Sequence, residues 1–256
     1  MRAPALVLAA VLALRLPAAA EDAEKLFSAG QQAYAAEDYE RAVSWFEQAV
    51  QIQPSVSLYH LWLGRACGRR AERVFFTRAI GLAKRTGAAF QKAVELDGSS
   101  IEALNDLLDF YLQAPGMVGG GEEKAPPLAA RLARLSPAEG HRAQSLMLAN
   151  KKDWAGAEAE LRRALDIEPS KPGRLLELAS FLSERGRAAE ADALFDRAAG
   201  LAPDSPEYLF ARGRHLVESK RNPETARQLL EQYLQSPRRP DDPPPSQVKA
   251  LLKKLG

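Results

Sequence analysis

The sequence has few of the residues that form cross-links, sheets or membrane spans. Cys67 is the only cysteine among 256 residues, so no disulfide can form within the chain. We expect Cys67 to be a small buried residue rather than a reactive thiol. No apolar run reaches the roughly 20 residues that a helix needs to cross a bilayer. No segment has the alternating pattern of a convincing β-strand. These absences argue against a disulfide-stabilised fold and favour an all-helical chain.

An excess of charge is also missing. The chain has 35 Lys and Arg residues against 33 Asp and Glu residues. Removal of residues 1–20 takes away Arg2 and Arg15 and no acidic residue, which leaves the remainder formally neutral. A neutral chain has no overall attraction to nucleic acid or to an anionic membrane. We therefore expect no nucleic-acid partner.

The first twenty residues have the features of a signal peptide. Arg2 precedes an apolar run from Ala5 to Leu14, and Ala18 and Ala20 are the small residues that a signal peptidase requires before Glu21. The alternative is an N-terminal helix that packs on the rest of the chain. We expect export to the periplasm or out of the cell, and no membrane span after residues 1–20 are removed.

Three segments, which begin at Tyr39, Trp154 and Ala188, align without gaps. Each has a small residue, then a large apolar residue, then a second small residue, and a proline five residues later. From the second segment to the third, every landmark moves by 34 residues. The landmarks are Ala42, Phe46, Ala49 and Pro54; Ala157, Leu161, Ala164 and Pro169; and Ala191, Phe195, Ala198 and Pro203.

This pattern predicts pairs of closely packed helices. Ala157 and Ala164 share one face of a helix and let a neighbouring helix approach, while Leu161 fills the gap between them. Each proline follows a helix that it cannot continue. Apolar residues at three- and four-residue spacing indicate the partner helices. These lie at Leu58–Cys67, Ile101–Leu112, Ala138–Ala149, Leu175–Leu182 and Glu207–Val217.

The period and the pattern resemble the tetratricopeptide repeat. The resemblance implies an all-α, right-handed solenoid of about six helix-turn-helix repeats with a C-terminal capping helix. We assign residues 1–20 to the signal peptide, 21–237 to the solenoid, 238–245 to a proline-rich linker and 246–256 to the capping helix. Two insertions, near 68–84 and 115–122, are expected between the two helices of a repeat.

The second insertion contains Gly116 and Gly121 at the spacing of a phosphate-binding P-loop. Glu122 and Glu123 stand where such a loop needs Lys and Ser or Thr, and no strand precedes them. A structural turn or a partner-contacting loop is therefore the better interpretation of the glycines.

Catalytic patterns are absent from the sequence. His60, His141 and His215 lie far apart, and none has a second ligand at metal-binding spacing. No nucleophile elbow, metalloprotease signature or kinase set occurs. We expect no enzyme activity, no metal and no cofactor, and an enzyme with an unrecognised site is the least favoured alternative.

The stretch from Arg65 to Arg85 has the strongest local charge bias, with seven cations and one acidic residue, Glu72. One interpretation is an amphipathic insertion whose basic side is solvated; the other is a docking surface for an acidic partner. The candidate docking residues are Arg65, Arg69, Arg70 and Arg73.

The resemblance also implies a protein or peptide partner, held along the first helix of each repeat. The carboxylate clamp that some family members use for a peptide C-terminus is not matched here. We expect an exported scaffold or adaptor for protein interaction or assembly in the cell envelope; the alternative is a self-associating structural repeat protein. Candidate first-helix residues are Gln31, Tyr34, Leu61, Arg65, Asn105, Asp109, Arg142, Asn150, Arg214 and Glu218.

Overall fold

A computed structural model describes the backbone of residues 5–256 and the side chains from Ala19 onward. Residues 1–4 and the side chains of residues 5–18, which belong to the predicted signal peptide, lie outside the described part. Thirteen α-helices and no β-strand occur in residues 5–256, which confirms the all-α prediction. The helices are α1 (Ala5–Ala35), α2 (Tyr39–Ile52), α3 (Ser57–Ala71), α4 (Phe76–Leu96), α5 (Ile101–Gln113), α6 (Ala125–Leu135), α7 (Pro137–Asn150), α8 (Trp154–Ile167), α9 (Pro172–Glu184), α10 (Ala188–Leu201), α11 (Pro206–Glu218), α12 (Pro223–Gln235) and α13 (Pro245–Lys253).

The helices form two compact units that meet in sequence between Gly121 and Glu122. In unit 1, α1 packs on α2 and α3 packs on α4, and α5 packs against α4. In unit 2, α7 packs on α8, α9 on α10 and α11 on α12, and α6 packs against α7. Consecutive helices therefore pair into helix-turn-helix hairpins, as the repeat pattern predicts.

The aligned landmarks form the contacts between paired helices. Ala157 and Ala164 have no exposed surface, and Leu161 between them is 8% exposed. The corresponding residues of α2 and α10 are buried in the same way. The small residues thus allow close approach of neighbouring helices, and the large residue fills the space between them.

Cys67 in α3 is fully buried, as predicted. Burial raises the pKa of its thiol to about 11, so the sulfur stays protonated near neutral pH. Because the thiolate is the reactive form, Cys67 acts as a packing residue.

The first predicted insertion is mostly helical. Its residues occupy the last turn of α3, the turn from Glu72 to Phe75 and the first part of α4. The extra chain length therefore lengthens α3 and α4 and forms the turn between them.

The glycine-rich segment after α5 is a folded turn. Residues Gly116–Val118 form a short 3₁₀ helix, followed by Gly119 with a φ of 102°. A Cβ added to Gly120 would lie 1.8 Å from the carbonyl oxygen of Ala114. The amide of Gly121 donates to the carbonyl of Tyr111 at 2.9 Å. Backbone geometry thus requires glycine here, which supports the structural-turn interpretation.

The C-terminal helix covers the end of unit 2. Val248 and Leu251 of α13 are buried in a cluster with Leu230 and Tyr233 of α12. The Tyr233 hydroxyl donates to the Pro243 carbonyl at 2.6 Å, which fixes the proline-rich segment before α13. None of the described helices is both long enough and apolar enough to cross a membrane.

Candidate partner-binding surfaces

Side chains of three first helices form a connected row in unit 1. The Tyr34 ring of α1 lies 5.4 Å from the Trp62 ring of α3, in an edge-to-face arrangement. The Arg65 guanidinium stacks 5.2 Å from the Trp62 ring. Arg65 Nε donates to Asp106 Oδ2 of α5 at 2.6 Å. We call this row, together with Asn105 and Asp109 of α5, the first-helix surface of unit 1.

Arg65 holds α3 and α5 together. Its side chain is 12% exposed, and a second nitrogen lies 2.8 Å from the Glu102 carboxylate. Burial alone lowers the pKa of Arg65, but hydrogen bonds and attraction from Asp106 and Glu102 outweigh burial and raise it. The guanidinium is therefore always charged, and its charge is compensated within unit 1.

Tyr34, Asn105 and Asp109 are three further predicted residues of this surface. All three are half-buried, and Asn105 and Asp109 lie one turn apart on α5. Burial raises the pKa of Tyr34, so the phenol is neutral at physiological pH. The surface therefore offers an aromatic ring, an amide and carboxylates to a partner.

The prediction for Leu61 is wrong. Its side chain is only 2% exposed and belongs to the packed interior. Leu61 and Trp62 are both buried, so the part of α3 that a partner could reach here begins at Arg65. Gln31, by contrast, is half-buried on α1.

The predicted basic residues Arg69 and Arg70 each contact a carboxylate. Arg69 Nη1 donates to Glu72 Oε2 at 2.8 Å, and its Nε donates to the Tyr39 hydroxyl at 3.4 Å. Arg70 donates to Glu40 of α2. Glu40 lies 30 residues away in sequence, so a local charge count could not include it.

Arg73 and Arg85 have distant acidic partners of the same kind. Arg73 donates to Glu37, and its guanidinium lies 4.5 Å above the Tyr39 ring. Arg85 pairs with Glu47 of α2. Docking of an acidic partner on this stretch stays a prediction, but much of its positive charge already binds carboxylates of unit 1.

A buried arginine organises the first helices of unit 2. Arg174 at the start of α9 is 4% exposed and pairs with Glu139 of α7, Glu168 and Glu177. Burial alone lowers the pKa of Arg174, but bonds to Glu168 and Glu139 outweigh it and raise the pKa. Sequence reasoning missed this residue, because Arg174 looks like an ordinary surface charge until its three carboxylates converge.

Three of the four predicted residues of unit 2 also have internal partners. Arg142 donates to Glu177, so α7 and α9 are tied from both sides. Asn150 Nδ2 donates to Glu122 Oε2 at 3.1 Å. Arg214 lies 3.4 Å from a Glu184 oxygen. Glu218 is exposed at the end of α11. Arg142 and Arg214 thus bind carboxylates of neighbouring first helices in this unit as well.

The histidines have local structural partners. A ring nitrogen of His60 lies 2.8 Å from the Pro54 carbonyl, and His141 lies 2.6 Å from Glu160. Among residues whose side chains are described, no three His, Cys, Asp or Glu residues are placed to hold a metal.

Two family models decide what kind of repeat this is. Both describe the tetratricopeptide repeat, and they match residues 27–56 and 148–214. The chain contains tetratricopeptide repeats. The first match covers the last part of α1 and all of α2, and the second extends from the end of α7 into α11.

Solved structures of repeat proteins are similar to this chain. A thermophilic tetratricopeptide repeat protein of Thermus thermophilus shares the fold: it is 24% identical, and the similarity covers 77% of this chain and 98% of that one, with a TM-score of 0.55. The pilF protein of Pseudomonas aeruginosa is 18% identical over 85% of this chain and 93% of its own, with a TM-score of 0.48.

One sequence relative is "Cellulose synthase 2 operon protein C" of Komagataeibacter xylinus. It is 33% identical over 141 residues, which is 52% of this chain. The match spans only 10% of the relative's length. Repeats of this family bind protein or peptide partners.

Proposed function

We propose that this protein is an exported adaptor that holds a protein partner for assembly in the cell envelope. The proposed binding site is the first-helix surface of unit 1. The observation that carries the proposal is the connected row Tyr34, Trp62, Arg65 and Asp106, which spans α1, α3 and α5.

The row suits an extended peptide segment because its groups are already held in place. Arg65 is bound by Asp106 and Glu102, and Tyr34 packs on Trp62 and Tyr39. Ordering these side chains on binding therefore costs little conformational entropy. Half-buried Asn105 and Asp109 add hydrogen-bonding groups beside the row.

Export is supported by Arg2, the apolar run Ala5–Leu14 and the small residues before Glu21. A role in assembly is supported by the relative from Komagataeibacter xylinus, whose name places it in a cellulose synthase operon. The repeat fold supplies the surface on which the proposed adaptor would hold its protein partner.

The test compares two double variants of the full chain. Asn105→Ala with Asp109→Ala alters the first-helix surface of unit 1. Lys92→Ala with Glu95→Ala removes an exposed i,i+3 pair on α4 and is the matched control. Partners are captured from the envelope fraction of the source cell, and the affinity of the purified partner is then measured.

We expect the control to bind like the wild type and the α5 variant to lose at least about tenfold in affinity, since each lost buried hydrogen bond is worth about 1 kcal/mol. Equal affinity of both variants for the partner would contradict the proposal that the first-helix surface of unit 1 is the binding site. Recovery of the chain from the cytoplasm alone would contradict the proposal that the protein is exported. Concentration-dependent self-association with no captured partner would favour a self-associating structural protein.

A further inference from the structure

Helix α4 projects beyond its partner α3. A Cβ on Gly64 of α3 would meet Phe90 of α4, and a Cβ on Gly68 would meet Thr86. The two helices are therefore antiparallel, and each step of four residues toward the end of α3 corresponds to four residues toward the start of α4. Continued by one step, this register places Glu72, the residue after α3, opposite Leu82. The six residues from Phe76 to Gly81 therefore lie past the last residue of α3 and are faced only by the turn from Glu72 to Phe75; at 1.5 Å per residue they extend about 9 Å beyond α3.

The projecting end carries two adjacent, exposed aromatic side chains. Phe75 is 91% exposed and Phe76 is 71% exposed, the two highest values among the large apolar residues with described side chains. Single exposed apolar residues are common on protein surfaces. Two neighbouring phenylalanines at a projecting tip form a contiguous apolar patch, and such patches mark sites that contact a partner or a membrane. We call residues Phe75–Gly81 the α4 tip.

The chain around the α4 tip is basic. From Arg73 to Val94 the sequence has five cations and no acidic residue. Arg73 and Arg85 pair with Glu37 and Glu47. Arg78 and Lys84 are exposed and form no ion pair within the described part of the chain. The tip therefore combines exposed phenyl rings with uncompensated positive charge.

We propose that the α4 tip binds the surface of a bilayer that contains anionic lipids. The two phenyl rings enter the boundary between headgroups and acyl chains, and Arg78 contacts lipid phosphates. A projecting apolar tip enters a bilayer without a preformed pocket, and cations beside it add attraction to anionic headgroups. The proposal goes beyond the proposed function and does not depend on it.

A fluorescent probe on the tip tests the proposal in the full chain. Thr77→Cys is labelled with an environment-sensitive dye, and buried Cys67 is protected from the label. Ser44→Cys, exposed on α2, carries the dye in the control. Vesicles of phosphatidylcholine, with and without phosphatidylglycerol, are added. The local probe separates binding by the tip from binding by the apolar residues Ala5–Leu14.

We expect the tip probe to brighten with phosphatidylglycerol vesicles and the control probe to stay unchanged. Phe75→Ser with Phe76→Ser should raise the lipid concentration for half-binding at least about tenfold. Arg78→Gln should raise it roughly fivefold. The matched control, Met117→Ser with Leu201→Ser, removes exposed apolar residues elsewhere and should have no such effect.

Three results would overturn the proposal. One is a tip probe that does not respond to anionic vesicles. Another is equal binding by the Phe75/Phe76 variant and the Met117/Leu201 variant. The third is a probe response to protein concentration alone, with a dimer in sedimentation that the Phe75/Phe76 variant lacks. That result would show that a second copy of the chain, and not lipid, covers the tip.

Discussion

The backbone of Gly64 lies directly against the ring of Phe90. A Cβ on Gly64 would lie 2.5 Å from two of the ring carbons, a distance that real Cβ atoms do not show. Gly30 faces the ring of Phe46 in the same way, at 2.5 Å. Within each hairpin of unit 1, a glycine of the first helix therefore admits a large ring of the second.

Gly64→Val should destabilise unit 1 because the added carbons overlap the Phe90 ring. We expect a loss of about 1–3 kcal/mol in the free energy of unfolding, measured by urea denaturation. Gly81→Ala is the matched control, because a Cβ there meets nothing within 4 Å. It should raise stability by roughly 0.5–1 kcal/mol through helix propensity alone. Equal effects of the two substitutions would contradict the Gly64–Phe90 contact.

Ala164→Arg tests the repeat alignment in unit 2. Ala164 has no exposed surface, so a long charged side chain must overpack the α8 contact or open it. The overlap alone should cost about 1–3 kcal/mol, which lowers the melting temperature by several degrees. Arg163→Ala, at the exposed neighbouring position, is the control and should stay close to wild type. An unchanged melting temperature for Ala164→Arg would contradict the alignment.

Stability should fall as the pH drops below about 6.5, because of His215. Burial lowers the pKa of His215, and the positive charges of Arg212 and Arg221 lower it further. Asp192 raises the pKa but does not outweigh these effects. In the neutral ring, Nδ1 accepts from the Ser183 hydroxyl at 2.6 Å, and Nε2 donates to Asp192 at 3.1 Å.

A folded-state pKa below the unfolded value means that the folded state binds the proton less tightly. The stabilisation is complete above about pH 6.5 and is lost as the pH falls through the folded-state pKa, at about 1.4 kcal/mol per unit of pKa difference. NMR titration of the His215 ring should give a pKa below 6.5. Chemical denaturation at about pH 7.5 and about pH 5.5 should show a smaller loss in His215→Gln. A ring pKa above the ordinary value would contradict the prediction.

Export predicts a defined N-terminus. The mature protein should begin at or near Glu21, because Ala18 and Ala20 are the small residues that a signal peptidase requires. N-terminal sequencing or intact mass of protein from the exported fraction checks this. Ala18→Arg with Ala20→Arg should block processing, whereas Ala35→Arg, at an exposed position of α1, should not. Membrane-bound protein that still starts at Met1 would indicate a retained anchor instead.

The sequence by itself determined the repeat fold. Ala157, Leu161 and Ala164 recur with a period that only paired helices use, and their burial follows from that spacing. Proline and glycine marked the helix ends and the turn at residues 116–121, because these residues restrict or free the backbone locally. Such signals act over a few residues, so they can be read along the chain.

Only the tertiary structure decided which charges face solvent. Arg70 looked free in its own stretch, but Glu40 reaches it from 30 residues away, and Arg174 gathers three carboxylates from separate positions. Conversely, Phe75 is a large apolar residue and yet is almost fully exposed. Ion pairing and exposure depend on which helices become neighbours, and a periodic pattern specifies that helices pack without specifying which side chains meet across them.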